Sequence, residues 1–398
     1  MNNITVLTFH SVVDHTDNRP WAFLSTSVKA FENTLRYLKR KKYKAITLKE
    51  FYEWKQNGVD DGVKRVLIHF DDGFLDNYTV AYPMLKKYGF KATVFVSPDF
   101  VDPRPIVREL QYEKLRAGKS VDMENLWGYM SWEELKKVDS EGVIDVQAHA
   151  MTHTWYPCSS ELVDLHTPGD NYFWLSWNKD PANKPFWLAN FNDNVVPYGY
   201  PVFKYAKAIS GKCFFPSDEV VRYCVDFYNA NLKDWAENKK EYINRLNNEL
   251  SEKFGDKIGS NEDEAAFKKR LEWELICSKK IDEEKLGKKI EFLAWPGGAV
   301  SDLAYEVAEK AGYMAWTAKG KPFNEQKDSL KTIYRVGGWS GIKVKHKPVL
   351  ILEKMFVRMQ LYRSKGTKGI LNRAFAFVGN VYRNRHIKKC RGKGENWK

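Results

Sequence analysis

Seven short apolar runs rich in Val, Ile, Phe and Tyr recur along this chain, several of them flanked by segments with helical start and stop signals. They are Ile4 to Phe9, Arg65 to Phe70, Ala92 to Ser97, Val143 to Ala148, Ile290 to Ala294, Tyr313 to Thr317 and Thr332 to Val336. Strands joined by crossover helices pair in parallel and are covered on both faces, so they read as continuous apolar runs rather than alternating ones. The expected fold is therefore α/β, a distorted (β/α)7 barrel, with a doubly wound open sheet as the alternative. The helix signals are local and specific. Ser27 opens a segment with Phe31, Leu35 and Leu38 on one face, and both Thr47 to Glu50 and Ser131 to Glu134 have capping-box spacing. Asp76 to Tyr88 is expected to be helical up to Gly89, and Ser301 to Ala311 up to Gly312.

Residues 155–263 break this alternation. They are rich in Trp, Tyr, Asn and Pro up to about Pro201, then charged and helical from Ser217 to Phe254. A segment of that length reads as an inserted lid or substrate-binding region on one face of the barrel. The expected organisation is a barrel from residues 1–154 and 264–340, the insertion 155–263, and a basic, partly helical C-terminal extension 341–398. With 43% hydrophobic and 29% charged residues, the chain is globular, not disordered or coiled coil. Its five Cys have no CxxC spacing, which argues against a disulfide scaffold or zinc knuckle and for reduced, mostly buried thiols. No secretory leader pattern and no run of about 18 apolar residues is present, so a cytoplasmic chain that spans no membrane is expected.

Three clusters could carry chemistry. Asp71-Asp72-Gly73 follows the second apolar run, at the end of a barrel strand where catalytic groups collect. Two adjacent carboxylates in a partly dry site need a positive charge between or beside them, which a divalent metal supplies. A helix N-cap Asp and a turn Gly would give the same letters. His149 and His153 follow the fourth run at i, i+4 spacing, which on a helical turn would put both imidazoles on one face as metal ligands; surface pairs at this spacing are also common. Trp295-Pro-Gly297-Gly298 ends the fifth run, where glycine permits close backbone approach and an exposed N–H could hold an oxyanion, although a plain strand-to-helix turn explains it equally.

These motifs, in this order and followed by Gly312-Tyr-Met-Ala-Trp-Thr317 and a late Arg, resemble the polysaccharide deacetylases of carbohydrate esterase family four, the NodB-homology proteins. The resemblance covers roughly residues 4–154 and 264–340. It implies a distorted (β/α)7 barrel that removes acetyl groups from sugars with a divalent metal, zinc first, with cobalt, nickel, manganese or iron as alternatives. It further implies that Asp72, His149 and His153 bind the metal, that Asp71 is the general base, and that the N–H of Gly297 contributes to the oxyanion site. Many members pair the base with an Arg four residues before the Pro; Phe292 stands there, and Arg335 is the nearest substitute. Their Leu-x-His motif has no match, since His346 lies in the basic extension, and the general acid is left unassigned. His10, Trp295 and Trp155 are candidate substrate-binding residues, with His10 equally readable as a buried histidine. His69 is placed to point to the side of Asp71 or simply to pack, and Asp76 is expected to cap a helix. Trp155, Tyr156, Trp174, Trp177, Trp187 and Tyr198 could stack on sugars or form a small satellite core.

The basicity is confined to one end. Residues 341–398 hold 16 Lys and Arg against 2 Asp and Glu, whereas residues 1–340 hold 48 against 49. Apolar and basic residues are mixed from Pro348 to Arg363 and from Gly369 to Arg385, which suits the surface of an anionic membrane better than nucleic acid, for which no recognition motif is present. A C-terminal helix packed on the barrel is the plainer reading. Two function classes follow: a metal-dependent deacetylase of an N-acetylated sugar, such as a lipid-linked precursor of an envelope glycan, or a non-catalytic carbohydrate-binding protein on the same barrel.

Overall fold

Each of the seven apolar runs forms a strand of one parallel sheet, taken up in the order of the sequence. The computed structural model describes residues 3–14, 24–189 and 195–337, together with the two-residue strands Lys343–Val344 and Lys347–Pro348. The main path of the sheet is built from β1 (Thr5–Phe9), β2 (Lys64–Asp71), β3 (Ala92–Val96), β4 (Ile144–Ala148), β5 (Phe292–Leu293), β6 (Ala315–Ala318), β7 (Thr332–Tyr334) and β8 (Val336–Gly337), and the short strand Tyr43–Ala45 pairs with the start of β2 off this path. Register places Phe9 beside Phe70, Asp71 beside Phe95, Val96 beside Ala148, and Ala148 beside Leu293. The last expected strand, Thr332 to Val336, is in fact two. β7 pairs with β6 while β8 pairs with β1, and only Arg335 lies between them. The break lets the chain leave one edge and join the other, so the sheet nearly closes into a distorted barrel and the open-sheet alternative is excluded.

Side-chain parity decides what faces inward, because successive strand residues point to opposite faces. Val6, Leu67, Phe95, Phe292, Ala315 and Ile333 form one buried cluster in the barrel, whereas Leu7, Ile68 and Val94 pack against the surrounding helices. Leu67 inside puts His69 and Asp71, two and four residues on, on the same interior face. On the outer side, Phe31 meets Phe9 edge to face at 5.1 Å and Phe70 at 5.6 Å. That contact seats helix Val28–Arg40, whose N-cap Ser27 Oγ accepts from Ala30 N–H at 3.1 Å. Both capping boxes are present, at Thr47 and Ser131. The segment after Asp76 starts as a π turn, Asn77–Ala81, before becoming the α-helix Tyr82–Tyr88, which ends at Gly89 with φ 71°.

The insertion begins with an antiparallel pair, Trp155–Leu165 and Pro201–Lys207, backed by helices Asp218–Ala230 and Trp235–Phe254. It carries its own core, with Leu162, Phe203, Val220 and Leu246 in one cluster. Trp174, Trp177 and Trp187 belong to another, packed on Phe100 and Tyr129, and are 5%, 2% and 7% exposed. Trp187 therefore serves as satellite core, while Trp174 and Trp177, buried in the same cluster, also border the cavity described below. Among the described residues no helix is long and apolar enough to cross a membrane. The basic segments 349–398 and His346 lie outside the described residues.

Candidate active site and metal centre

The C-terminal ends of β1, β2, β4 and β5 open onto one cavity of about 990 Å³, lined by His10, Asp71, Asp72, His149, His153, Trp155, Trp295, Gly297 and Arg335 among others. These nine catalytic, substrate-binding and metal-binding candidates thus meet at one place, whereas Tyr156, Trp187 and Tyr198 do not line it.

At its centre Nε2 of His149 and Nε2 of His153 each lie 3.3 Å from Asp72 Oδ1, and the three donor atoms fall within 4.8 Å of one another. Two ligands 2.0–2.1 Å from a tetrahedral ion stand about 3.3 Å apart, so the spacing suits a divalent cation. The donor chemistry fits as well. Asp72 Oδ1 is buried without a hydrogen-bond partner of standard geometry. His149 Nδ1 lies 2.7 Å from the carbonyl of Ala294; donation to that oxygen fixes the tautomer and leaves the Nε2 lone pair facing Asp72. For His153, burial, reinforced by Lys207, drives the pKa well below the ordinary imidazole value and keeps the ring neutral. Burial disfavours the Asp72 anion, yet the net shift of its carboxyl is downward and the group is ionised.

The His pair does not sit on a helical turn. Residues 149–154 form an irregular loop with Ala150 at φ 60° and His153 at φ 45°, and Asp72 has φ 72°. A non-glycine residue in this region costs about 1–3 kcal/mol and persists only where surrounding contacts enforce it. Those contacts are identifiable. The buried Glu274 accepts from the N–H groups of Met151 at 3.1 Å and Thr152 at 3.0 Å, and from the Thr152 hydroxyl. Lys184, buried, donates to the Thr152 carbonyl at 3.2 Å and to Asp99 at 2.8 Å. Neither residue was singled out from the sequence. For Glu274 there was a signal, since it shares the buried helix face of Leu271 and Leu275, where a carboxylate has no reason to be unless it is bonded.

Beside the cluster, Arg335 Nη1 donates to Asp71 Oδ1 at 2.6 Å, and His10 Nε2 lies 3.9 Å from Asp71 Oδ2. Burial disfavours the Asp71 anion, but Arg335, then His149 and His10, overcome this and bring its pKa to about 2. The break in the last strand delivers Arg335 to this position. His69, two residues before Asp71, is fully buried against Phe95, and burial lowers its pKa to about 3; it packs inside the barrel as a neutral ring. Asp76 does not cap its helix. Its carboxylate instead accepts from the Ser11 hydroxyl and from Val12 N–H at 2.8 Å, while Asn77 Nδ2 donates to the His10 carbonyl at 2.7 Å. Asp76 and Asn77 thereby hold the loop that carries His10.

Two substrate-binding candidates differ from expectation in detail. Trp295 is 2% exposed and packs on Tyr305 and Trp316, so it forms part of the cavity wall and is not an open platform. One face of Trp155 is covered by Lys207, whose Nζ lies 3.2 Å from the ring centroid. Gly297 has φ 60° at the turn after Pro296, a conformation that glycine adopts without strain.

Residues 58–167 match the family model described as polysaccharide deacetylase. A putative polysaccharide deacetylase of Bacillus subtilis is 29% identical over 176 residues, which is 43% of this chain and 52% of that protein. A poly-β-1,6-N-acetyl-D-glucosamine N-deacetylase of Staphylococcus aureus is 42% identical over 72 residues, covering 18% of this chain and 24% of that protein. The chain thus spans about half the length, or less, of these curated relatives. In fold it is similar to a de-N-acetylase from Aggregatibacter actinomycetemcomitans, with TM-score 0.51 and 16% identity over 87% of this chain and 98% of that one.

Proposed function

We propose, from the premise that the chain carries a polysaccharide deacetylase domain, that it hydrolyses the acetyl amide of an N-acetylated sugar with a divalent metal, zinc being the first candidate. The observation that carries this reading is the meeting of Asp72, His149 and His153 beside an ionised Asp71 in one open cavity. Asp72, His149 and His153 would hold the ion, which when bound acidifies water and polarises an acyl oxygen. Asp71 is not needed for ligation, and its Oδ2 is free of the Arg335 contact, so it can take a proton from the attacking water. Arg335 orients that carboxylate and keeps it ionised. His10 and Gly297 line the space where the acetamide would sit. The test is acetate release from N-acetylglucosamine oligomers by zinc-loaded protein. Release is expected, with its loss on chelation and recovery on zinc addition. A metal-loaded protein that binds such oligomers and releases no acetate would favour the non-catalytic, carbohydrate-binding reading.

The charge distribution supports a second proposal, that the extension 341–398 holds the protein on an anionic membrane face, where a lipid-linked saccharide would be the substrate. Each Lys or Arg near such a surface contributes about 1 kcal/mol, screened over about 10 Å at 0.1 M salt. Truncation after Lys347 is expected to abolish sedimentation with phosphatidylglycerol vesicles. Equal sedimentation of the two forms overturns the membrane assignment.

A further inference from the structure

The cavity contains a cation that this scheme leaves without a role. Lys207 ends the second strand of the insertion, directly opposite Trp155, and so comes from outside the segment matched by the family model. Its ammonium lies over the Trp155 ring. Its Cε is 2.6 Å from the point where Gly297 would carry a Cβ, so the lysine lies directly against this turn. The other cations in the cavity have partners: Arg335 bonds Asp71 at 2.6 Å, Lys239 bonds Asp164 at 2.7 Å, and Lys319 donates to the Gly297 carbonyl at 3.2 Å. Among the described residues no carboxylate pairs with Lys207. Burial lowers its pKa to about 7, opposed by the nearby Asp72 carboxylate, which is the residue committed to a metal ion.

A buried lysine beside a site for a cation is placed to hold an anion that enters between them. Amide hydrolysis creates one twice, as the oxyanion of the tetrahedral adduct and as the acetate product. We infer that Lys207 donates a hydrogen bond to the acyl oxygen, stabilises the charge it gains, and then retains the acetate. This rests on the deacetylase reading. The attacking water forms a C–O bond as its proton passes to Asp71, and the carbonyl electron pair moves onto the oxygen facing Lys207. That pair then re-forms the double bond as the C–N bond breaks, and the amine leaves with the proton that Asp71 took. In this step Lys207 is a hydrogen-bond donor, not a proton source. The insertion is accordingly part of the catalytic apparatus.

The experiment compares zinc-loaded wild type with Lys207→Met and Lys207→Arg. It reads zinc content by elemental analysis, acetate affinity by calorimetry, and kcat and KM on N-acetylglucosamine oligomers. Lys207→Met is expected to keep its zinc, bind acetate at least tenfold more weakly, and lose about 10²-fold in kcat with KM little changed, as when one oxyanion donor is removed. Lys207→Arg should recover part of both. Wild-type acetate affinity or wild-type kcat in Lys207→Met overturns the inference while leaving the deacetylase reading intact, and so does a loss confined to KM. Acetate binding that depends on Lys207 in a wild-type protein inactive on every acetylated sugar would remove the deacetylase reading and leave the anion contact standing.

Discussion

Asp71→Asn is expected to retain its metal and lose about 10² to 10⁴ in hydrolytic rate, the range for removing a positioned base. The amide has the same volume and keeps an oxygen for Arg335, whose bond to Oδ1 at 2.6 Å is the principal contact of this carboxylate. The substitution therefore tests chemistry with little change in packing. What the amide lacks is a lone pair able to accept a proton from water. Removal of the negative charge beside Arg335 has its own cost, since a half-buried guanidinium loses its counter-ion. Thermal unfolding should accompany the assay, and metal content should match wild type. Full activity in a folded, metal-replete variant would assign Asp71 a structural role and move the base elsewhere.

His153→Ala is expected to lower metal affinity by more than about 100-fold, because even the partners behind metal ligands contribute about 10- to 100-fold. The effect should be steep for two reasons. The three donors converge on one point, each His Nε2 3.3 Å from Asp72 Oδ1, so no fourth side chain among the described residues completes the group. In addition, His153 occupies a left-handed conformation at φ 45°, and alanine there keeps that backbone cost and offers no ligand in return. Dialysis against a weak chelator followed by elemental analysis distinguishes the cases. Full stoichiometric metal in the variant would remove His153 from the ligand set.

The strands and the Asp and His clusters were legible in the sequence because each is a local pattern, an apolar run followed by a chemically unusual pair. What makes the site work was less legible because it is non-local. The conformation of the His149–His153 loop is enforced by Glu274, 122 and 123 residues away, and no i, i+4 rule anticipates a turn held from outside. Asp76 reads as a cap by position alone, yet its carboxylate is taken by Ser11 and Val12, 65 and 64 residues earlier. Lys207 gave no signal at all, since a lysine at a strand end is ordinarily solvated. The Trp-rich insertion misled for a different reason: composition marks aromatic residues as binders or as core without distinguishing them, and burial separates Trp174, Trp177 and Trp187 from Trp155.

The interruption at Arg335 has a consequence for how the protein is made. The carboxylate at the end of β2 meets its guanidinium 264 residues later, at the joint where the sheet closes on β1. Long-range contacts of this kind form late, after the entropy of closing the intervening chain has been offset. During synthesis at about 5–20 residues per second, Asp71 leaves the ribosome many seconds before Arg335 exists. A nascent or prematurely terminated chain that stops short of the last strand therefore has Asp71 without its counter-ion and a sheet with an open edge. Closure of the sheet on β1 and delivery of the guanidinium to Asp71 are thus a single structural event.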